Sequence, residues 1–172
     1  QKSLWNCKGV FRYGRRNLRC RKKHGTLNTK AAIAHSCNIL FYEIGKKISI
    51  DTLAKYANIF GLGEKTNFIF NEKDGLIPTN QWKLKNKGQR WWPGETLSAA
   101  IGQSFLLVTP LQIAKMIASI HNGYLTKPRI LEDAPIQQQP LEISKDTRAF
   151  LKSSMKLGVK EGTGQRLKDI EN

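Results

Sequence analysis

A mainly helical chain with at most one or two short strands is what the sequence predicts, on three observations. Ile33, Cys37, Leu40, Phe41, Ile44 and Ile48 recur mostly at intervals of three and four, the spacing of one helical face. Thr109-Pro110 followed by Gln112 writes a helix start: Thr caps, Pro suits the first turn, and Gln can reach back to the cap's backbone N–H. Ser144 opens a third periodic run that reaches about Leu157.

Taken in order, residues 1–28 are rich in Gly, Arg and Lys and show neither helical nor strand period. They read as an irregular basic loop that needs an external staple. The helical face that follows Asn28 is interrupted near Ser36, and Asp51 is positioned to cap a second helix through Phe60, stopped by Gly61 and Gly63. Asn71 to Trp92 is a long polar connection carrying Gly75, Pro78 and Gly88, expected to be packed by Trp82, Trp91 and Trp92 as core rather than as a ligand platform. Leu111, Ala114, Ile117 and Ile120 continue the helix that Thr109 caps, and Gly123 ends it. Pro128 to Pro140 reads as a Pro- and Gln-rich linker, and the last helix turns Phe150 and Leu151 inward. The candidate strands are Asn67–Phe70 and Lys127–Leu131.

The 172 residues, 40% of them hydrophobic, fit one domain with a core of ordinary size. No stretch approaches the roughly 18 apolar residues of a membrane span. Gln1 to Asn6 holds neither an initiator Met nor a signal-peptide core, so the start is expected to be a cut rather than a native terminus. The net charge of +16 is uneven: about ten Lys and Arg fall in the first thirty residues, and no Asp or Glu precedes Glu43. Such a run suits nucleic acid or an anionic phospholipid or cell-wall surface, and its plain alternative is a solvated loop.

All three cysteines and one histidine share this block: Cys7, Cys20, His24 and Cys37. Four thiolate and imidazole groups are enough for a tetrahedral structural zinc, which would order a loop too poor in apolar residues to order itself. The spacing departs from the Cys-x-x-Cys knuckles of common fingers. A Cys7–Cys20 disulfide with Cys37 as a small core residue, or three unrelated thiols, are the other readings.

His24-Gly25, Leu27-Asn28, Ala31 to Ala34, Ser36-Cys37-Asn38 and Phe41-Tyr42 resemble the segment around the second motif of class B penicillin-binding proteins of the elongation type. The likeness continues in order through Phe60-Gly61-Leu62-Gly63, Thr66, Gly75 to Pro78, Trp82-Lys83, Ile101-Gly102-Gln103-Ser104 and Thr109-Pro110-Leu111-Gln112. The order over nearly the whole chain, more than any single motif, carries the resemblance.

That resemblance implies an α/β (α+β) penicillin-binding, serine β-lactamase-like transpeptidase fold. The 172 residues would be a partial transpeptidase domain: residues 1–28 a metal-stapled basic loop, residues 29–172 a mainly helical part of the catalytic subdomain. It implies acyl transfer from D-Ala-D-Ala stem peptides in peptidoglycan synthesis, with acylation by β-lactams. Ser36 would relay protons, and the Asn38 amide would hold the family's Lys or the substrate backbone. It implies membrane partners of the elongation machinery, no nucleic acid, and work on the outer face of a bacterial inner membrane. Some members carry ligand-type residues at matching positions, which supports zinc at Cys7, Cys20, His24 and Cys37.

The sequence departs from the family at two motifs. Ser-x-x-Lys is absent upstream of Ser36, and Ser153-Ser154-Met155-Lys156 lies in the last helix, where the family has no nucleophile. Glu161-Gly162-Thr163-Gly164 lacks the Lys of Lys-Thr-Gly and stands where a loop precedes the family's final strand. The expectation is therefore a fragment that alone neither acylates nor cross-links. Two other classes compete: a zinc-stapled nucleic-acid-binding module, which leaves the ordered motifs after residue 60 unexplained, and a catalytically dead scaffold of the elongation machinery.

Overall fold

Local chemistry sets the helix starts. In the computed structural model, which describes residues 4–68 and 71–170, side chains of Asn28, Ser49, Thr79, Thr109 and Ser144 each accept a first-turn backbone N–H. They open α1 (Thr29–Ala34), α3 (Ile50–Ile59), α4 (Asn80–Lys87), α6 (Pro110–Asn122) and α7 (Lys145–Glu161). Two further helices, α2 (Asn38–Gly45) and α5 (Pro93–Ala99), complete the set among the described residues. Six short strands accompany them: β1 (Leu4–Cys7), β2 (Val10–Tyr13), β3 (Arg16–Arg19), β4 (Gly25–Asn28), β5 (Tyr124–Thr126) and β6 (Gln138–Pro140).

The segment read as an irregular loop is two nested antiparallel hairpins. β1 pairs with β4, Cys7 opposite Gly25, and between them β2 pairs with β3, Phe11 opposite Leu18. Trp5 and Cys7, then Phe11 and Tyr13, turn inward in alternation. Four-residue strands are too short to show that period against so many arginines. At the β2–β3 turn Gly14 stands at φ 56°, a conformation that glycine adopts without steric cost.

The break predicted near Ser36 is real: α1 ends at Ala34, Ser36 takes φ 52°, and α2 starts at Asn38. The cap of α3 is Ser49 rather than Asp51, whose carboxylate instead binds the Asn80 backbone N–H at 3.0 Å and the Asn80 side chain at 2.6 Å. The long polar connection holds α4, closed by Gly88 at φ 63°; its Lys- and Asn-rich composition hides any apolar face. Trp82 and Trp91 pack on Phe105, but Trp92 is 64% exposed, so it is not core.

At Thr109 the capping box forms as expected, and its Gln112 is fully buried, donating also to the carbonyls of Glu64 and Asp74. The expected strand at Lys127–Leu131 lies earlier, at β5, and pairs with β6 inside the stretch read as linker. Of the strand expected at Asn67–Phe70, Ile69 and Phe70 lie outside the described residues, and Asn67 has φ 56° and is not extended. Phe150 on α7 is 39% exposed; Leu151 is the half-buried one.

The main core joins the hairpins to α1, α2 and α5 through Cys7, Phe11, Ala32, Leu40, Tyr42 and Leu97. Burying a side chain such as Leu40 contributes about 2 kcal/mol. α2 packs on α5 where Gly45 leaves room: a Cβ there would sit 2.9 Å from that of Ala100. α7 packs along α1, which brings the end of the described chain back to the Ser36 break.

Candidate functional site

Ser36 is the exposed apex of the turn between α1 and α2. Its N–H is bound by the Ile33 carbonyl at 3.1 Å, and the Cys37 N–H by that of Ala32 at 2.8 Å. A non-glycine residue at positive φ costs of order 1 kcal/mol and persists where its surroundings enforce it. Here they do, because Cys37 is 1% exposed on one side and Ala34 is clamped on the other.

The clamp is the loop after α7. The Thr163 N–H donates to the Ala34 carbonyl at 3.1 Å, and the Thr163 hydroxyl shares a hydrogen bond with that of Ser36 at 2.9 Å. Gly162 makes the approach feasible: a Cβ there would overlap the Ala34 carbonyl oxygen. Sequence reasoning missed the Thr163 contact with Ser36, giving Gly162-Thr163-Gly164 only a place in the chain. Its small-Thr-small pattern was the available signal.

Asn38 begins α2 and donates from Nδ2 to the Arg19 carbonyl at 3.3 Å; the Tyr42 hydroxyl donates to the same oxygen at 3.4 Å. One amide N–H of Asn38 is thus spent on holding the β3 end, which leaves its carbonyl oxygen and second N–H for another partner. Ser153 and Ser154 both donate to the Phe150 carbonyl inside α7, and Ser154 is fully buried. That Ser-x-x-Lys stretch is helix interior.

Behind the turn, the ligand atoms of Cys7, Cys20, His24 and Cys37 all lie within 4.8 Å of one another, and the three thiols are unbridged. His24 Nδ1 is 3.4 Å from Cys7 Sγ and 3.6 Å from Cys20 Sγ. Tetrahedral zinc with its usual bond lengths sets N···S at about 3.6 Å and S···S at about 3.8 Å. The donor set therefore matches that ion in type and number, and side-chain adjustments of about 1 Å at the widest separations, which reach 4.8 Å, would complete the tetrahedron.

Burial lowers the His24 pKa, aided by the charges of Lys22 and His35, which favours the neutral, ligating imidazole. Burial pushes the Cys37 thiol up to about 11. At Cys20 burial acts in the same upward direction, but backbone N–H groups of Asn38, Lys22 and Ile39 outweigh it and hold the thiol below its ordinary value.

Known proteins share this architecture. The chain is 36% identical over 110 residues to the peptidoglycan D,D-transpeptidase MrdA of Salmonella typhimurium, a match covering 63% of this chain and 18% of the relative. It superposes on the penicillin-binding protein PBP2 from Helicobacter pylori with a TM-score of 0.84 and 31% identity, over 96% of this chain and 32% of that one. For the complex of that PBP2 with MreC the TM-score is 0.86 at 31% identity, over 97% and 33% of the two chains. The chain thus spans about a fifth of the length of the curated relatives it matches and folds as part of a penicillin-binding transpeptidase domain. A family model, that of the penicillin binding protein transpeptidase domain, matches residues 8–171, and the chain belongs to that family.

Proposed function

We propose that these residues form the middle of the active site of a serine-type peptidoglycan D,D-transpeptidase that cross-links stem peptides during cell elongation. The observation that carries it is the Ser36 turn, whose hydroxyl is exposed beside Asn38 and fixed by Thr163, in a chain that matches the transpeptidase family over residues 8–171.

A serine nucleophile needs a base to take its proton, and the leaving D-Ala amine needs one returned. The nucleophile and its lysine would come from a Ser-x-x-Lys segment of the whole protein. Ser36, able to donate and accept, passes the proton between them and the departing amine. Asn38 presents its free amide positions to that lysine or to the substrate backbone. β-Lactams, as mimics of D-Ala-D-Ala, acylate the serine of that Ser-x-x-Lys segment.

Cys7, Cys20, His24 and Cys37 hold a structural zinc in this reading. The ion supplies no step of acyl transfer; it ties both hairpins to Cys37, the residue between Ser36 and Asn38. By analogy with the Helicobacter pylori complex, the partner is an MreC-type protein of the elongation machinery. The site of action is the outer face of the inner membrane. None of the described helices is long and apolar enough to cross a membrane.

The test replaces the corresponding segment of the full-length Salmonella typhimurium relative by residues 8–171 and follows labelling with a fluorescent penicillin. Labelling that Ser36→Ala slows by about two orders of magnitude supports the relay role. A folded exchange protein that labels equally fast with Ser36→Ala removes it.

A further inference from the structure

We propose that the outward face of the β2–β3 hairpin docks carboxylate-bearing peptidoglycan strands and leads them to the Ser36–Asn38 turn; this rests on the transpeptidase reading above. Between Lys8 and Lys23 the chain carries eight Lys and Arg, every one exposed, and no carboxylate precedes Glu43. Among the described residues none of the eight forms an ion pair. Like charges on so short a ribbon repel one another, and an anionic ligand relieves that repulsion.

The hairpin fixes where the charge points. Buried Phe11 opposite Leu18 sets the inner face, so Arg12, opposite Asn17, and Arg19, opposite Val10, stand on the outer one. Arg15 lies at the turn and Arg21 just past the ribbon, where it lines a crevice with Thr163, Glu161 and Arg166. The charged face is continuous with the catalytic turn, because the Arg19 carbonyl is held by both Asn38 and Tyr42.

That continuity selects the partner. A bilayer or a nucleic-acid duplex held on this face brings no peptide carbonyl to the Ser36 turn. A narrow, flexible strand can lie along the ribbon and leave its peptide carbonyl at Ser36. Stem peptides ending in D-Ala carry a free carboxylate and match the charge.

The test pellets the 172-residue chain with purified sacculi stripped of attached polymers, at increasing salt. The variant Arg12→Gln/Arg15→Gln/Arg19→Gln/Arg21→Gln is compared with Lys55→Gln/Lys65→Gln/Lys73→Gln/Lys127→Gln, four exposed lysines on other elements, so that both carry the same net charge. The arginine variant is expected to bind about tenfold more weakly, about 1.4 kcal/mol, and the lysine variant within about twofold of the parent. Amidation of the sacculus carboxylates is expected to erase the difference.

Equal losses in both variants, or undiminished binding to amidated sacculi, overturn the proposal. So does tighter, hairpin-dependent binding to phosphatidylglycerol vesicles or to an oligonucleotide. A matching thermal melt shows that each variant is folded; if the quadruple arginine variant is not, Arg12→Gln and Arg15→Gln are read singly for a smaller loss in the same direction. Penicillin labelling of the exchange protein reports separately on the transpeptidase reading. Labelling without hairpin-dependent sacculus binding sinks only the docking surface. Binding without Ser36-dependent labelling sinks the reading on which it rests.

Discussion

The hydroxyls of Ser36 and Thr163, 127 residues apart in sequence, lie 2.9 Å from each other. Because Thr163 is itself anchored to the Ala34 carbonyl, this bond fixes the Ser36 hydroxyl against a partner that can donate or accept. Thr163→Val in the exchange protein is expected to slow penicillin acylation by roughly threefold to tenfold, the worth of one neutral hydrogen bond. Thr163→Ser should restore most of the rate. The check is the acylation rate across pH: a change of profile as well as rate marks an effect on Ser36, whereas a merely loosened fold would lower the melting temperature and leave the profile's shape intact.

The second prediction concerns the metal. Elemental analysis of the purified chain is expected to find about one zinc per molecule, reduced by Cys37→Ser. Chelation should lower the melting temperature and loosen the hairpins first, seen as faster amide exchange in residues 4–28, because few apolar side chains besides Trp5, Phe11, Tyr13, Leu18 and Leu27 hold them. Zinc-free protein with the same melt and exchange pattern would end the structural-zinc account.

Lys83 and Glu95 supply a third. The ammonium is 2.6 Å from the carboxylate, with the lysine side chain 3% exposed, and the same carboxylate caps α5 through the Trp92 N–H at 2.8 Å. Lys83→Met strands a partly buried charge and is expected to destabilise the chain by about 3 kcal/mol. Lys83→Met with Glu95→Gln should cost distinctly less, because the stranded charge is gone. Urea denaturation of the two variants measures the difference.

A fourth follows from Glu72, whose carboxyl is held below the usual range chiefly by the Thr66 hydroxyl at 2.5 Å, with backbone N–H groups including that of Asn67 assisting against burial. A depressed folded-state pKa means stabilisation that is complete above the unfolded value of about 4.3 and lost as pH falls through the folded value. The stability gap between the parent and Glu72→Gln should therefore be constant near neutral pH and close under acid. A gap that widened on acidification would reverse the sign.

Helix starts were legible in the sequence because each is decided within four residues: Thr109 with Gln112, and Ser144, sit where expected. Asp51 was the instructive miss. Asp and Ser both cap, and the choice between Asp51 and Ser49 was made by Asn80, which claims the Asp51 carboxylate from 29 residues away. The hairpins were missed for a different reason: their inward alternation lasts at most two residues per strand, and Arg12 and Arg19 take outward positions. The convergence of Cys7, Cys20, His24 and Cys37 could be suspected from residue type. The Ser36–Thr163 contact could not, since no local pattern reports a meeting across most of the chain.

The nesting of the hairpins and the long reach of the Ser36–Thr163 bond imply an order of assembly. β2 and β3 close across a two-residue turn, and β1 then meets β4 over a modest loop, so both pairings carry little closure entropy. The serine turn belongs to the opposite end of that scale. During synthesis residue 163 leaves the ribosome only after α7 has been made. A nascent chain can therefore pair its hairpin strands while Ser36 still lacks its Thr163 partner, and that contact forms only once α7 docks along α1.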